Sequence, residues 1–178
     1  FILIINNLKL GYLRVSVMIT NYLSPTSFVV SVKRLPNIEF YTQRVTLPSI
    51  SGGQLDVPTP LNPFYTSQTG LEYAPLELGF IVDENMQNYL EIFNWLQGIT
   101  SPQSSDLYKS IKNSEDGIES DITVLVSNSH KNPNVQFTFY DCFPTDLSSI
   151  NLDITAQDIN SSECTATFKY TYFSVENI

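Results

Sequence analysis

The sequence predicts a mainly β protein, a sandwich or partly closed barrel of two antiparallel sheets with one flanking α-helix. Segments in which apolar and polar residues alternate recur along the chain, and this pattern is typical of strands. Only one stretch carries a long series of apolar residues at helical spacing. With 178 residues, 42% of them hydrophobic, the chain can form one domain with a sizeable core. We predict this domain over residues 18–178, after an extension over residues 1–17 that is a candidate for added strands.

A β-hairpin is predicted before residue 50. Residues 27–33 have the composition of a strand, Leu35 and Pro36 interrupt it, and residues 39–45 resume it. Leu47 and Pro48 are expected to end this hairpin, because a proline cannot donate to a sheet ladder.

Residues 49–70 are predicted to be a long loop. They hold Gly52, Gly53, Pro58, Pro60, Pro63 and Gly70. A connection of this length is usually functional or docks on a neighbour. Its apolar members favour docking, and they are Leu55, Val57, Leu61, Phe64 and Tyr65.

The long helix is predicted within residues 77–99, directly after a strand that carries Leu78, Phe80 and Val82. Asp83 is expected to cap the first turn, next to the acidic Glu84, and Gly98 is expected to end the helix. The predicted core face follows three- and four-residue steps, and its members are Met86, Tyr89, Leu90, Phe93 and Leu96. On this interpretation, replacing Phe93 with Ala would cost about 3–5 kcal/mol.

After the helix, residues 100–117 are predicted to form a second polar loop. Strands are predicted at residues 121–127 and 135–143, with a turn at residues 132–134 between them and Pro144 closing the second strand. Further strands are predicted at residues 152–155 and 164–175, the last in strong alternation.

The charge distribution argues against nucleic-acid recognition and suggests self-association. The net charge is −9, whereas binding to a phosphate backbone relies on Lys and Arg. Cations dominate before residue 45 and carboxylates dominate over residues 72–163; the early cations are Lys9, Arg14, Lys33, Arg34 and Arg44. Opposite charges on one chain suit head-to-tail association, and two differently solvated surfaces are the alternative.

No catalytic, cofactor or metal site is predicted. His130 is the one histidine and lies in a turn, and with two cysteines it cannot form a usual zinc site. Cys142 and Cys164 are predicted to be buried free thiols, as in a reducing compartment, rather than a disulfide. No phosphate-binding glycine loop, nucleophile elbow or metalloprotease helix is present, and no run of residues approaches the length of a membrane span.

Two other groups of residues are candidates for chemical sites. The pairs Asp83-Glu84 and Glu115-Asp116 have the carboxylates that glycoside hydrolysis needs, but helix capping and a solvated loop explain them better. The aromatic residues Tyr170, Tyr172 and Phe173 suit a platform for sugars or bases. Strand alternation favours core and subunit contacts for the same residues.

The order of segments over residues 27–173 resembles the tail tube proteins of contractile-tailed bacteriophages. The matching segments are FVVSVKRLPNIEFYTQRVTLPSI, LELGFIVDENMQNYLEIFNWLQGI with Trp95 near the helix end, FPTDLSSINLD and ATFKYTYF. The resemblance implies two antiparallel sheets in a barrel-like body with one helix. It also implies hexameric rings that stack into a tube inside a contractile sheath.

The resemblance further implies the partners and the setting. These are further copies of the chain, the sheath protein, baseplate and tail terminator proteins, and the tape measure protein and transiting DNA in the lumen. It places the chain in the virion tail, assembled in the host cytoplasm, with no membrane and no cofactor. Alternatives are a tube-end paralogue (a baseplate tube initiator or a tail completion or terminator protein), a secretion tube of the hemolysin-coregulated type and a carbohydrate-binding sandwich. A DNA conduit must not hold its cargo, so we predict a lumen richer in Asp, Glu, Ser, Thr and Asn than in Lys or Arg.

Overall fold

The structure is a computed structural model that describes residues 22–58, 62, 64–101, 105–113, 117–155 and 161–178. The predicted extension over residues 1–17 lies outside the described residues, so the division at residue 18 stays a prediction. The elements in chain order are β1 (Phe28–Val32), α1 (Pro36–Tyr41), β2 (Thr42–Thr46), β3 (Ile50–Val57), β4 (Phe64–Tyr73), β5 (Leu76–Ile81), α2 (Gln87–Thr100), α3 (Ser105–Lys112), β6 (Ser120–Ser127), β7 (Pro133–Leu147), β8 (Glu163–Lys169) and β9 (Tyr172–Asn177).

Two antiparallel sheets share strand β7, which confirms the predicted fold class. The first half of β7 pairs with β6 and β9, and β6 pairs with β1. The second half of β7 pairs with β8, which continues through β5 to β2. Asp141 has a φ of 55° at the point where β7 passes between the sheets. One bent strand therefore links the two layers of the domain.

The core lies between the sheets and the helices α1 and α2. Phe80, Phe139 and Phe168 from the sheets are buried with Ile38 of α1 and Trp95 of α2. The Trp95 ring lies 6.0 Å from the Phe168 ring, and its Nε1 donates a hydrogen bond to the Ile118 carbonyl at 2.9 Å. A buried Trp needs such an acceptor for its N–H, so this bond orients α2 on the body.

The predicted first hairpin is wrong, because a helix and a change of sheet separate its strands. Pro36 begins α1, where the missing proline N–H costs nothing and its fixed φ suits a first turn. The helix buries Ile38, and β2 starts directly after it. Since β1 pairs with β6 while β2 pairs with β5, the two strands belong to different sheets.

The core face of α2 was also predicted wrongly. The helix starts at Gln87 after Met86, which has a left-handed φ of 54°, and no side chain caps it, so Asp83 is not its N-cap. Gly98 lies inside the helix, which continues to Thr100. The buried members of α2 are Asn88, Ile92, Trp95 and Gly98. Of the predicted core residues, Met86, Leu90 and Phe93 are exposed, Leu96 is half-buried, and Tyr89 is half-buried against the core.

The two predicted loops contain secondary structure. Residues 49–70 are mostly the antiparallel strands β3 and β4, with an irregularity between Gly52 and Gln54. Residues 100–117 contain α3, which has Asp106 in its first turn and lysines in its last turn. This arrangement stabilises a short helix, because negative charge near its N-terminus and positive charge near its C-terminus interact favourably with the helix dipole.

The C-terminal predictions need three corrections. Pro144 does not close β7, which runs on to Leu147 with a register shift after Pro144 that accommodates the missing donor. Residues 152–155 form no strand; Thr155 donates through its N–H and hydroxyl to Asp153, and these bonds lower the pKa of Asp153. The predicted strand at 164–175 is interrupted at Tyr170 and Thr171, although β7 pairs with β9 and then with the end of β8 in one register as far as Pro144. The strand predicted at residues 121–127 is confirmed as β6.

Candidate assembly surfaces

Within the described residues, no group of three His, Cys, Asp or Glu side chains could hold a metal ion. His130 is exposed in the turn between β6 and β7, and its backbone N–H donates to Asn128 Oδ1 at 2.9 Å. Asp83 donates its backbone N–H to Asn88 Oδ1, so its role is in the turn before α2. Glu115 and Asp116 lie outside the described residues. The helices in the described residues include none long and apolar enough to cross a membrane.

Both cysteines are free and buried, as predicted. Burial raises the pKa of the Cys142 thiol from 9.0 to about 12, against the hydrogen bond to the Ile122 backbone, which lowers it. Burial also raises the pKa of the Cys164 thiol, which donates to the Ser148 carbonyl. Both groups are therefore neutral thiols at physiological pH, with little nucleophilic character.

The closing aromatic residues do not form a stacking platform. Tyr170 and Phe173 pack against Phe139, at ring distances of 5.0 and 5.3 Å. The Tyr170 hydroxyl donates to the Ala74 carbonyl, and burial raises its pKa to about 12. Tyr172 is partly exposed and stacks on Tyr140 at 4.6 Å. Tyr170 and Phe173 therefore belong to the body of the domain, as strand alternation favours.

A polar pocket of about 600 Å³ lies beside the start of β6. Its lining carries both signs of charge, with Lys33 and Lys112 near Glu119, Asp121 and Asp141. The Asp121 carboxylate accepts a hydrogen bond from the Asp141 backbone N–H at 3.3 Å. This arrangement gives a solvated, mixed-charge depression rather than a site for one ion.

Strands β3 and β4 form an exposed two-stranded arm. Every described side chain of β3 is exposed, and Phe64 and Leu71 of β4 expose 62% and 61% of their surface. Val57 pairs with Phe64 and Leu55 with Thr66, so Leu55, Val57 and Phe64 share one face near the tip. A lone two-stranded hairpin is marginally stable in water. The arm therefore has an apolar face that suits packing against another surface.

The arm joins the body through Tyr73 and Ala74. The Tyr73 ring lies 5.6 Å from Phe173 and 6.0 Å from Tyr170. The Ala74 backbone N–H donates to the Ser49 carbonyl at 3.0 Å, which closes the base of the hairpin. These contacts fix the root of the arm, while Leu55, Val57 and Phe64 at its far end are exposed.

The two sheets each end in a strand with one neighbour in the described part of the chain. β9, which pairs with β7, is one such edge, and the two ends of the strand order are β1, which pairs with β6, and β2, which pairs with β5. A groove of about 200 Å³ lies between them, and no ionisable side chain lines it. Its apolar lining comes from Phe28, Val45, Leu47, Val124 and Val126, together with Leu23. Unpaired strand edges beside an apolar groove are ready to pair with another chain.

Sequence reasoning missed the arm strands and the outward face of α2. For the arm, alternation within residues 64–73 was visible, but the glycines and prolines around it favoured a loop. For α2, a second apolar series at Ile92, Trp95 and Ile99 has the same three- and four-residue spacing as the predicted one. Spacing alone does not choose between them.

Exposed strand edges and an exposed apolar arm in the described residues are features of a chain that packs against other chains. The chain matches the phage tail tube protein family over residues 11–176. It is 30% identical over 166 residues to the tail tube terminator protein of Enterobacteria phage T4, a match that covers 89% of this chain and 91% of the relative. The chain therefore belongs to the phage tail tube protein family.

Solved structures of low sequence identity share the fold. The tube-terminating cap of the anti-feeding prophage has a TM-score of 0.66 at 14% identity, covering 94% of this chain and 99% of that chain. A chain in the sheath–tube complex of the PVC extracellular contractile injection system has a TM-score of 0.56 at 16% identity, covering 90% and 95%. This chain is thus a tail tube or tube-terminator type of protein and, as a phage tail component, part of the virion.

Proposed function

We propose that this protein forms a hexameric ring on the tail tube of a contractile-tailed phage. The observation that carries the proposal is the exposed β3–β4 arm, whose apolar face finds no cover in the described residues. A ring of identical subunits supplies such cover and also pairs strand edges that would otherwise attract unrelated chains.

The position that we propose for this ring is the end of the tube, where it would act as the terminator. The support is the 30% identity to the T4 tail tube terminator protein over nearly the full length of both chains. The likeness to the anti-feeding prophage cap adds only that the fold suits such a position. The alternative is the repeated subunit of the tube body, which shares the fold and would stack many rings.

The proposed ring works by surface complementarity and involves no chemistry. The apolar tip of the arm would seat against a neighbouring subunit, and the edges of β1 and β2 would extend the sheets between subunits. The ring would surround DNA without holding it, because a net charge of −9 repels phosphate near the wall.

Electron microscopy of the purified full chain tests whether it forms rings and whether those rings stack into a tube. Rings that stay single or pair are expected for a terminator, and long hollow tubes would favour the body subunit. Monomers alone at about 50–100 µM would contradict ring formation, since assembly contacts of ordinary size give micromolar or tighter affinities.

Charge substitutions on the arm test the role of its apolar face. The variant Leu55→Asp/Phe64→Asp places two carboxylates on that face, and Gln54→Asp/Ser67→Asp places two on the opposite face. We expect the first variant to lose rings and to sediment as a folded monomer, while the second keeps its rings. Equal loss or equal retention of rings in both variants would contradict the arm's role.

A further inference from the structure

The groove between β1 and β2 lies on an open side of the sandwich. Its volume is about 200 Å³, and no ionisable side chain lines it. Val45 of β2 lines it together with Val124 and Val126 of β6. Leu23 and Leu47 also line it, although they expose 71% and 40% of their surface. Exposed apolar side chains beside a strand edge favour a further strand at this place.

The side of β1 that faces away from β6 has backbone groups suited to a further strand. The Ser27 carbonyl and the Lys33 N–H bond to β6, at 2.8 and 3.5 Å. Residues of an antiparallel strand alternate in the side towards which their backbone groups point. The N–H groups of Phe28, Val30 and Val32 therefore point away from β6. No described strand pairs with β1 on that side.

A turn brings the chain before β1 to the groove. The Ser27 N–H donates to the Ser24 carbonyl at 3.4 Å, so residues 24–27 reverse the chain direction just before β1. Leu23, directly before this turn, lines the groove, and Tyr22 exposes 98% of its surface. Residues 1–21 lie outside the described residues, and they join the described part of the chain beside the groove.

The sequence before the turn alternates in phase with Leu23. Counting back from Leu23 in steps of two gives Asn21, Ile19, Val17 and Val15, which are apolar except for Asn21. The residues between them are mostly polar, and they are Ser16, Met18, Thr20 and Tyr22. A period of two is typical of a strand with one buried face. The family match begins at residue 11, so this stretch lies inside it.

We infer that residues 15–21 of this same chain form a strand antiparallel to β1 and that Val15, Val17 and Ile19 cover the groove. The short connection at residues 22–27 holds this segment beside β1, which gives it a higher effective concentration there than a segment of another molecule. The inference does not depend on ring formation. In a ring, the added strand is the edge through which this sheet meets its neighbour.

Hydrogen exchange measured by mass spectrometry on the full chain tests the inference. The reporter is the peptide that contains β1, because the amides of Phe28, Val30 and Val32 need a strand on the side away from β6 for protection. We expect the wild-type protein to protect these amides. Exchange of all three at the rate of unstructured amides in the wild type would overturn the inference.

Matched variants assign this protection to the segment. Val17→Asp/Ile19→Asp places two carboxylates on the face turned to the groove, and Ser16→Asp/Thr20→Asp places two on the opposite face of the same segment. The first variant is expected to take up about two more deuterons in the β1 peptide at short labelling times, because it loses the added strand. The second variant is expected to keep the wild-type uptake. Equal uptake in the two variants overturns the inference.

A milder pair of substitutions keeps the test decisive if the first variant loses its fold by circular dichroism. Ile19→Ser then replaces it, with Thr20→Ser as the control, and the expected difference is about one deuteron. Equal uptake in this pair also overturns the inference.

Dilution separates this segment from a second copy as the occupant. The exchange measurement is repeated at a concentration at which sedimentation shows monomers. Protection of the β1 peptide that persists in monomers supports a strand from the same chain. Protection that disappears with dilution would assign the groove to another copy and overturn the inference, whether or not the copies form rings.

Discussion

Asn88 is a buried polar residue at the first turn of α2, and it replaces the cap that the helix lacks. Its Oδ1 accepts hydrogen bonds from the backbone N–H groups of Tyr89 and Asp83, at 2.8 and 3.3 Å, while its Nδ2 donates to the Ile81 carbonyl. One amide side chain thus satisfies a free donor of the helix and ties α2 to the end of β5. Asp83 was predicted for this role because acids are common before helices, but the chain turns once more before the helix begins.

Cys142 makes a testable contribution to stability at alkaline pH. Its folded pKa of about 12 lies above the ordinary thiol pKa of 9.0 because burial disfavours the thiolate. The unfolded chain therefore releases the thiol proton first as the pH rises, and the stabilising contribution, complete below about pH 9, is lost towards pH 12. We expect the free energy of unfolding in urea to fall from pH 8 to pH 10.5.

The variant Cys142→Ala isolates this effect, because Tyr170, whose pKa is also raised to about 12, titrates in both proteins. The fall in stability between the two pH values should be smaller in Cys142→Ala than in the wild type, with reductant present throughout. An identical pH dependence in both proteins would contradict a buried neutral thiol at this position.

At the scale of elements, α2 shows that apolar spacing can fit two faces of one helix. The series with Phe93 and the series with Trp95 both step by three and four residues. In the structure the series with Trp95 is buried, because Trp95 packs beside Phe168 and its N–H donates a hydrogen bond to the Ile118 carbonyl. The size of the Trp95 side chain and the acceptor for its N–H therefore determine which face of α2 is buried.

Because the face with Trp95 is buried, the loss of stability expected for Phe93→Ala is smaller than the sequence predicts. Phe93→Ala is expected to cost about 1 kcal/mol, since Phe93 exposes 41% of its surface and its ring stacks on that of Tyr89 at 6.4 Å. Ile92→Ala, one residue earlier, is expected to cost about 2–5 kcal/mol because Ile92 is fully buried. Urea denaturation of the two variants measures both values, and a larger loss for Phe93→Ala than for Ile92→Ala would return Phe93 to the core.

The arm shows the opposite kind of ambiguity. Gly52, Gly53, Pro58 and Pro63 made residues 49–70 resemble a loop, yet Pro58 lies just after β3. Pro63 lies outside the described residues. Prolines at strand ends remove no ladder hydrogen bond, and Gly52 pairs in the ladder beside the irregularity. The docking role predicted for residues 49–70 stays a prediction for the hairpin, because its apolar residues Leu55, Val57 and Phe64 are exposed.

At the scale of the whole molecule, strand β7 makes the two sheets one unit. Its first half lies in the sheet with β6 and β9, and its second half lies in the sheet with β8. This arrangement leaves β1, β2 and β9 as edges with one neighbour each in the described residues. The wrongly predicted hairpin and helix face do not change the order of segments that resembles tail tube proteins. Strand order and the position of the long helix define the fold.

The charge of the whole molecule gives a prediction for the proposed ring. Assembled protein should bind a 30-base-pair DNA duplex more weakly than about 100 µM at 150 mM salt, because weak nonspecific binders already reach about that affinity with Lys and Arg contacts. Filter binding or anisotropy on the rings measures this value. Micromolar binding that falls steeply with added salt would indicate a cationic lumen, contrary to the predicted lining of Asp, Glu, Ser, Thr and Asn.

The sequence by itself determined the class of fold, the one long helix, the buried thiols and the family, since these depend on composition, alternation and segment order. The tertiary structure decided which face of α2 is buried, that Pro36 begins a helix and that β7 passes between the sheets at Asp141. Such choices depend on contacts between residues far apart in the chain, such as Trp95 with Phe168, and local patterns carry no information about those contacts.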